Sequence, residues 1–166
     1  MLNTLDRLVA VEEIKQLKAR YFRALDTKDW ADLGSVFAPD AVFDLRFVNS
    51  VKHPITGDWI PAIGGEEAVF TGNGPIVAMI RSAIEGLYTI HHGHMPEIEI
   101  LSESTARAVW PMEDVLRHAS GQLLLTGSGH YHETYAKSGA AWQIKTSRLT
   151  RLFISGALAL PEMSES

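Results

Sequence analysis

Apolar positions recur at helical spacing from Thr4 to Asp26: Leu5, Leu8, Ile14, Leu17, Tyr21, Phe22 and Leu25. Glu12, Glu13, Lys15, Lys18 and Arg23 fall mostly elsewhere around the turn, so one long amphipathic helix is expected, capped by Asn3 or Thr4. A short second helix fits Trp30 to Phe37, with Asp29 as its cap, and Ala38-Pro39-Asp40 breaks it. Ala41 to Val48 reads as a strand. The pattern then loosens from Asn49 to Gly74, rich in glycine and proline, which predicts a long loop or hairpin. Pro75 to Leu87 predicts a third helix with proline in its first turn. Beyond it the period changes to two. Tyr88–His94, Glu97–Leu101, Thr105–Val115, Leu123–Tyr135 and Ala141–Phe153 predict consecutive strands separated by turn-like pieces. The tail after Gly156 carries no firm pattern and is expected to fray. Helices first and strands afterwards imply an α+β fold, with helices on one face of a curved, mostly antiparallel sheet.

Composition narrows the function classes. The 166 residues are the size of one domain. Net charge is −5, against a nucleic-acid partner, which calls for a basic stripe. Cysteine is absent, which excludes a disulfide framework, a zinc–thiolate site and a thiol nucleophile. No apolar run approaches the ~20 residues of a membrane-spanning helix, and the N-terminus lacks signal-peptide architecture. A cytoplasmic protein with no membrane partner is the expectation. Apolar residues on both faces of the last strands (Leu123, Leu124, Leu125, Leu149, Leu152, Phe153) suggest a covered outer sheet face and a homo-oligomer.

Seven histidines stand out, five of them in two clusters. In Thr89-Ile90-His91-His92-Gly93-His94, strand alternation sends His91 to one face and His92 and His94 to the other, though Gly93 and Pro96 make a bulge plausible. His130 and His132 form a second pair. Imidazoles at alternate strand positions are one way to bind a metal, but neither Glu97 nor Glu133 lies at a convincing ligand spacing. Asp26 ends the first helix on the side of Phe22, where it is either a solvated turn residue or a carboxylate partner for a histidine. Tyr21 lies on the apolar stripe. Asp114 shares period-two spacing with Trp110 and Met112, so an inward Asp114 needs a partner. Arg148 and Arg151 have opposite parity, so at most one faces inward. Gly72-Asn73-Gly74 and Gly127-Ser128-Gly129 match no phosphate-binding motif.

Arg20-Tyr21-Phe22-Arg23-Ala24-Leu25-Asp26, then Trp30, Leu33 and Phe37-Ala38-Pro39-Asp40-Ala41-Val42, resemble the SnoaL-like branch of the NTF2-like superfamily. The likeness continues through His91 to Ile98, Trp110 to Asp114, and Tyr131, Tyr135, Gly139 and Trp142. Within the branch the chain is most similar to the bile acid 7-alpha-dehydratase type and more distantly to scytalone dehydratase and hexachlorocyclohexane dehydrochlorinase. The resemblance implies a cone-shaped α+β barrel without metal or organic cofactor, in which a His–Asp pair removes a proton and a hydroxyl or halide departs. It puts His91 at the catalytic histidine, Asp26 at its partner, Tyr21 at a pocket tyrosine, Asp114 at a pocket carboxylate and Arg151 at a last-strand arginine. Trp110 would line the pocket. Leu45 stands where those dehydratases carry a further tyrosine, and the Asn49–Gly72 segment differs. The expected activity is a cofactor-independent elimination on a hydrophobic, cyclic small molecule. The alternatives are a non-catalytic binding or structural subunit like the small subunit of ring-hydroxylating dioxygenases, and a His-x-His metal enzyme. By resemblance, a trimer is preferred over a dimer.

Overall fold

A computed structural model describes residues 3–156. The first helix, α1 (Thr4–Thr27), is capped by Asn3, whose side chain accepts the Asp6 N–H at 2.9 Å. Its buried side is Ala10, Ile14, Leu17, Lys18, Tyr21, Ala24 and Leu25, at spacings of three and four. Leu5 and Leu8, expected on the apolar stripe, are exposed, and Lys18, expected on the polar side, is buried. Lys18 lies four residues after Ile14 and three before Tyr21, so helical geometry puts its stem on the inward face.

Helix α2 (Trp30–Ser35) is shorter than expected because Phe37 already belongs to strand β1 (Phe37–Asp44). The Val36 carbonyl accepts the Ile144 N–H and draws the chain out of the helix. Pro39 therefore interrupts nothing. It sits where the pairing of β1 shifts register between Phe37 and Val42, a place that needs no N–H from it. The strand stops at Asp44, four residues early, because the Asp44 carboxylate accepts the Arg46 N–H and closes a turn. The expected long loop holds β2 (Val51–Lys52), β3 (Trp59–Ile60), a 3₁₀ turn (Glu66–Ala68) and β4 (Val69–Thr71). Helix α3 runs Asn73–Ile84, starting two residues before Pro75 and ending before Gly86. Strands β5 (Tyr88–Gly93), β6 (Glu97–Ile100), β7 (Thr105–Arg117), β8 (Leu123–Ser138) and β9 (Ala141–Ser155) follow the expected ranges within one to three residues. The expectation for the tail falls outside the described residues.

The sheet is curved but not closed, with the path β3-β2-β9-β8-β7-β5. β7, β8 and β9 are mutually antiparallel, while β1 and β2 run parallel to β9. Short β5 and β6 share one edge of long β7. The fold is thus α+β with helices against a mostly antiparallel sheet. The core lies between the sheet's inner face and the helices: Ile14, Tyr21, Phe37, Ile76, Met112, Tyr135 and Ile144 are almost fully buried there. No helix of the described residues is long and apolar enough to cross a membrane. Leu152 and Phe153 are exposed on this single chain.

Candidate functional site

Cross-strand register arranges the inner face in layers. At one end His91 on β5 pairs with Asp114 on β7, which pairs with Gly127 on β8. Gly93, Met112 and Gly129 form the next layer, then Trp110, Tyr131 and Leu149, then Ala108, Glu133 and Ser147. Helix α1 follows the same order backwards, so Asp26 reaches the His91 layer, Tyr21 packs against Tyr131, and Lys18 reaches Glu133. The first end is half-open and the last is dry.

At the half-open end, His91 Nδ1 lies 2.7 Å from Asp26 Oδ1, and the His91 backbone N–H donates to Asp26 Oδ2 at 2.9 Å. The Thr89 hydroxyl donates to Oδ1 at 2.9 Å. Because the carboxylate only accepts, the contact selects the tautomer with the proton on Nδ1 and leaves a lone pair on Nε2. Nε2 makes no hydrogen bond to any described residue. The His91 side chain is 9% exposed and that of Asp26 25%. Partial burial pushes the Asp26 carboxyl up, but the hydrogen bonds from His91 and Thr89 outweigh it and hold it below the usual range. Strand β5 is regular here and no bulge intervenes. Gly93 has another reason: a Cβ on it would sit 2.4 Å from Phe22 Cε2, so the glycine lets α1 settle against the strand.

Asp114 and Arg151 face inward and meet. Arg151 Nη1 and Nη2 donate to the two Asp114 oxygens at 2.7 Å each, and Nε donates to the Val48 carbonyl at 3.2 Å. Both side chains are buried. Between them Gly127 leaves room, since a Cβ there would lie 2.7 Å from Arg151 Nη1 and 2.9 Å from Asp114 Oδ1. Arg148 takes the outer face and pairs with Asp44 at 2.8 Å. Trp110 is buried deeper, its indole N–H donated to the Tyr135 hydroxyl at 2.8 Å. Tyr21 is buried two layers below the dyad, edge-on to Tyr131. Burial first, and then the Tyr131 hydroxyl beside it, hold the phenol protonated by raising its pKa well above the ordinary value. The layers therefore bring His91, Asp26, Asp114 and Arg151 to one end, with Tyr21 and Trp110 both two layers further in.

Sequence reasoning missed two groups. Lys18 Nζ and Glu133 Oε1 form an ion pair at 2.7 Å with both side chains 0% exposed. Ser147 and Tyr135 hydroxyls also donate to Glu133, and the Lys18 ammonium lies over the Tyr131 ring (3.7 Å) and the Tyr21 ring (4.1 Å). The alternation Tyr131, Glu133, Tyr135 was the available signal. The second group is Lys28 and Thr89: Lys28 Nζ donates to Thr89 Oγ1 at 2.6 Å, next to the dyad.

The other histidines lie apart from this site. His92 and His94 are exposed, and His94 Nε2 is 3.8 Å from Glu113. His132 bonds Thr150 at 3.1 Å on the outer face. Among the described residues no three His, Asp or Glu side chains gather as a metal-binding set. A groove of about 920 Å³ also lies on the outer face, lined by Arg107, Glu99, Thr134, Thr146 and Arg148 among others. None of its lining residues belongs to the His91 site, and several of its charges are paired within the chain, Arg107 with Glu99 and Arg148 with Asp44. Volume and chemistry part company here, and the chemistry follows the imidazole.

A family profile for the SnoaL-like domain matches residues 6–148, and the chain belongs to that family. It is 30% identical over 145 residues to "Probable cyclase FGR4" of Gibberella zeae, an alignment covering 84% of this chain and 89% of the relative. In fold it resembles the crystal structure of a scytalone dehydratase-like protein from Novosphingobium aromaticivorans DSM 12444, with TM-score 0.73, 18% identity and 99% of each chain covered. It also resembles a type 2 hexachlorocyclohexane dehydrochlorinase, with TM-score 0.71 and 14% identity over 98% of this chain and 100% of the other.

Proposed function

We propose that this member of the SnoaL-like family is a cofactor-independent lyase that removes water from a hydrophobic, cyclic small molecule, with His91 and Asp26 as its acid–base pair. The observation that carries the reading is the 2.7 Å contact of His91 Nδ1 with Asp26, which turns an unbonded Nε2 outward from the pair. A base in that state can take a proton from carbon adjacent to a carbonyl. The carbon–hydrogen electrons move into the carbonyl oxygen, and the imidazolium that forms is stabilised by the Asp26 carboxylate. Expulsion of a β-hydroxyl then completes the double bond, with His91 returning the proton so that water leaves. Tyr21, kept protonated by burial, is the donor assigned to the developing oxyanion. The Asp114–Arg151 pair borders the same layer and contributes to the polar wall that a substrate hydroxyl or carbonyl would meet, and Trp110 forms its deeper apolar backing. The curated relative's name, a cyclase, is compatible, because ring closure through an enol requires the same base.

The test is a screen of hydroxylated cyclic ketones, steroid-like acids and their thioesters for loss of water, with His91→Ala as control. Loss of general acid–base catalysis is worth about 10²–10⁴-fold in kcat/KM. The melting temperature is expected to stay near that of the parent. Retained turnover in His91→Ala would remove the dyad from the mechanism.

A further inference from the structure

Helix α1 ends in an unusual way. Its C-cap, Lys28, has φ 61° and ψ 29°, the only described non-glycine residue with positive φ. That left-handed position normally favours glycine, because a Cβ there is strained. The Lys28 backbone N–H does what a glycine would do, reaching the Ala24 and Leu25 carbonyls. The strain is therefore tolerated for something a glycine lacks, and the side chain shows what it does. Lys28 Nζ donates to Thr89 Oγ1 at 2.6 Å and to the Leu25 carbonyl at 3.2 Å. Thr89 in turn donates to Asp26 Oδ1 at 2.9 Å, the same oxygen that His91 Nδ1 approaches at 2.7 Å.

We infer that Lys28, acting through Thr89, is a positioning residue that fixes the Asp26 carboxylate and thereby the tautomer of His91. The reasoning is one of proton count. A threonine hydroxyl has one hydrogen and two lone pairs. With the ammonium, a donor only, on one side of the oxygen, the hydroxyl hydrogen has no acceptor there and points to the acceptor-only Asp26 carboxylate. Asp26 then receives three donors (Thr89, His91 Nδ1–H and the His91 backbone N–H) and has little freedom to rotate. Lys28 also sets a positive charge beside the dyad, which opposes a second positive charge on His91. The charged and titratable groups facing His91 are Asp26 from α1, Lys28 from its cap, Asp114 from β7 and Arg151 from β9, with Tyr21 two layers below. Asp114 and Arg151 cancel one another at close range, so Asp26 and Lys28 dominate the balance.

This role rests on the acid–base reading of His91, so its test avoids turnover. Protein labelled with ¹⁵N-histidine is examined by NMR, with the His91 signals assigned by their loss in His91→Gln. In the parent, His91 is expected predominantly as the Nδ1–H tautomer. Lys28→Gly relieves the backbone strain and is expected to melt at the parent temperature or above. It should nonetheless shift His91 from the Nδ1–H tautomer toward a mixture, since the Asp26 carboxylate loses the hydroxyl hydrogen bond that holds its orientation. Thr89→Val should do the same to His91, whereas Thr89→Ser, which keeps the hydroxyl, should restore the parent spectrum. A parent-like tautomer in both Lys28→Gly and Thr89→Val would overturn the assignment, and so would a Lys28→Gly variant that loses stability while the His91 tautomer is unchanged. Failure of the dyad itself shows elsewhere, as retained turnover in His91→Ala, and leaves these spectra as they are.

Discussion

Replacing Lys18 by methionine keeps the length of the stem and deletes the charge. Glu133 would then be a carboxylate with 0% exposure, its remaining support the hydroxyls of Ser147 and Tyr135. Removing one member of a buried ion pair costs about 3–5 kcal/mol, because the survivor is uncompensated. In a protein of this size each kcal/mol moves the melting temperature by roughly 2–4 °C, so a fall of about 6–20 °C is expected. The rings of Tyr21 and Tyr131 lose their cation as well, which puts the outcome toward the upper half of that range. The second variant, Lys18→Met with Glu133→Gln, removes both charges and leaves an amide that Ser147 and Tyr135 can still reach. It should recover most of the loss, since a buried pair replaced as a unit is often neutral. Urea unfolding of the parent, both single variants and the double variant completes the cycle, with a coupling of about 2–3 kcal/mol expected. A Lys18→Met loss below about 1 kcal/mol with no coupling to Glu133 would refute the reasoning, because it would mean that the two charges do not face each other in a dry interior.

Gly93→Ala places a methyl 2.4 Å from Phe22 Cε2 and 2.9 Å from Cζ, so the ring must yield. A stability loss of about 1–3 kcal/mol by urea unfolding is expected, reduced when Phe22→Leu is added; a Gly93→Ala protein as stable as the parent would contradict the packing. Asp44 is held at about 2, chiefly by hydrogen bonds from Arg46, with Arg148 adding to them and burial opposing. Its folded value is depressed below the ordinary 3.8, so its contribution is present above that value and is lost as pH falls through about 2. Urea midpoints should therefore drop less between pH 5 and pH 2.5 in Asp44→Asn than in the parent, and equal drops would rule Asp44 out of the acid transition.

The parts of this site that were legible in the sequence are those where residue type and position agree. Asp26 four residues after Phe22, and His91 opposite in parity to His92 and His94, needed only a helix and a strand to be placed, and the family likeness linked them across 65 residues. Lys18 was illegible because lysine ordinarily marks a solvated face; only the identity of its partner, on a strand 115 residues away, makes burial tolerable. Lys28 was hidden for a related reason, since a helix end without glycine looks like a weak end rather than a strained one. The contact between Asp114 and Arg151 depends on Gly127, whose role is to be small in a third strand, and no local pattern announces that. Pro39 misled because its usual meaning, a break, gives way at a register shift where an N–H is not needed.

The bond from the His91 backbone to Asp26 Oδ2 has a consequence outside chemistry. Among the described residues β5 ends its side of the sheet and pairs with β7 alone, so the opposite row of its amides borders no further described strand. An open row of that kind is a template on which another chain can add itself. The Asp26 carboxylate occupies the His91 N–H on that row. One side chain thus guards the border of the sheet as well as orienting the imidazole. Substituting it loosens both, so an inactive Asp26 variant that aggregates says little about proton transfer, and His91, whose side chain leaves the border intact, is the cleaner position from which to interrogate the reaction.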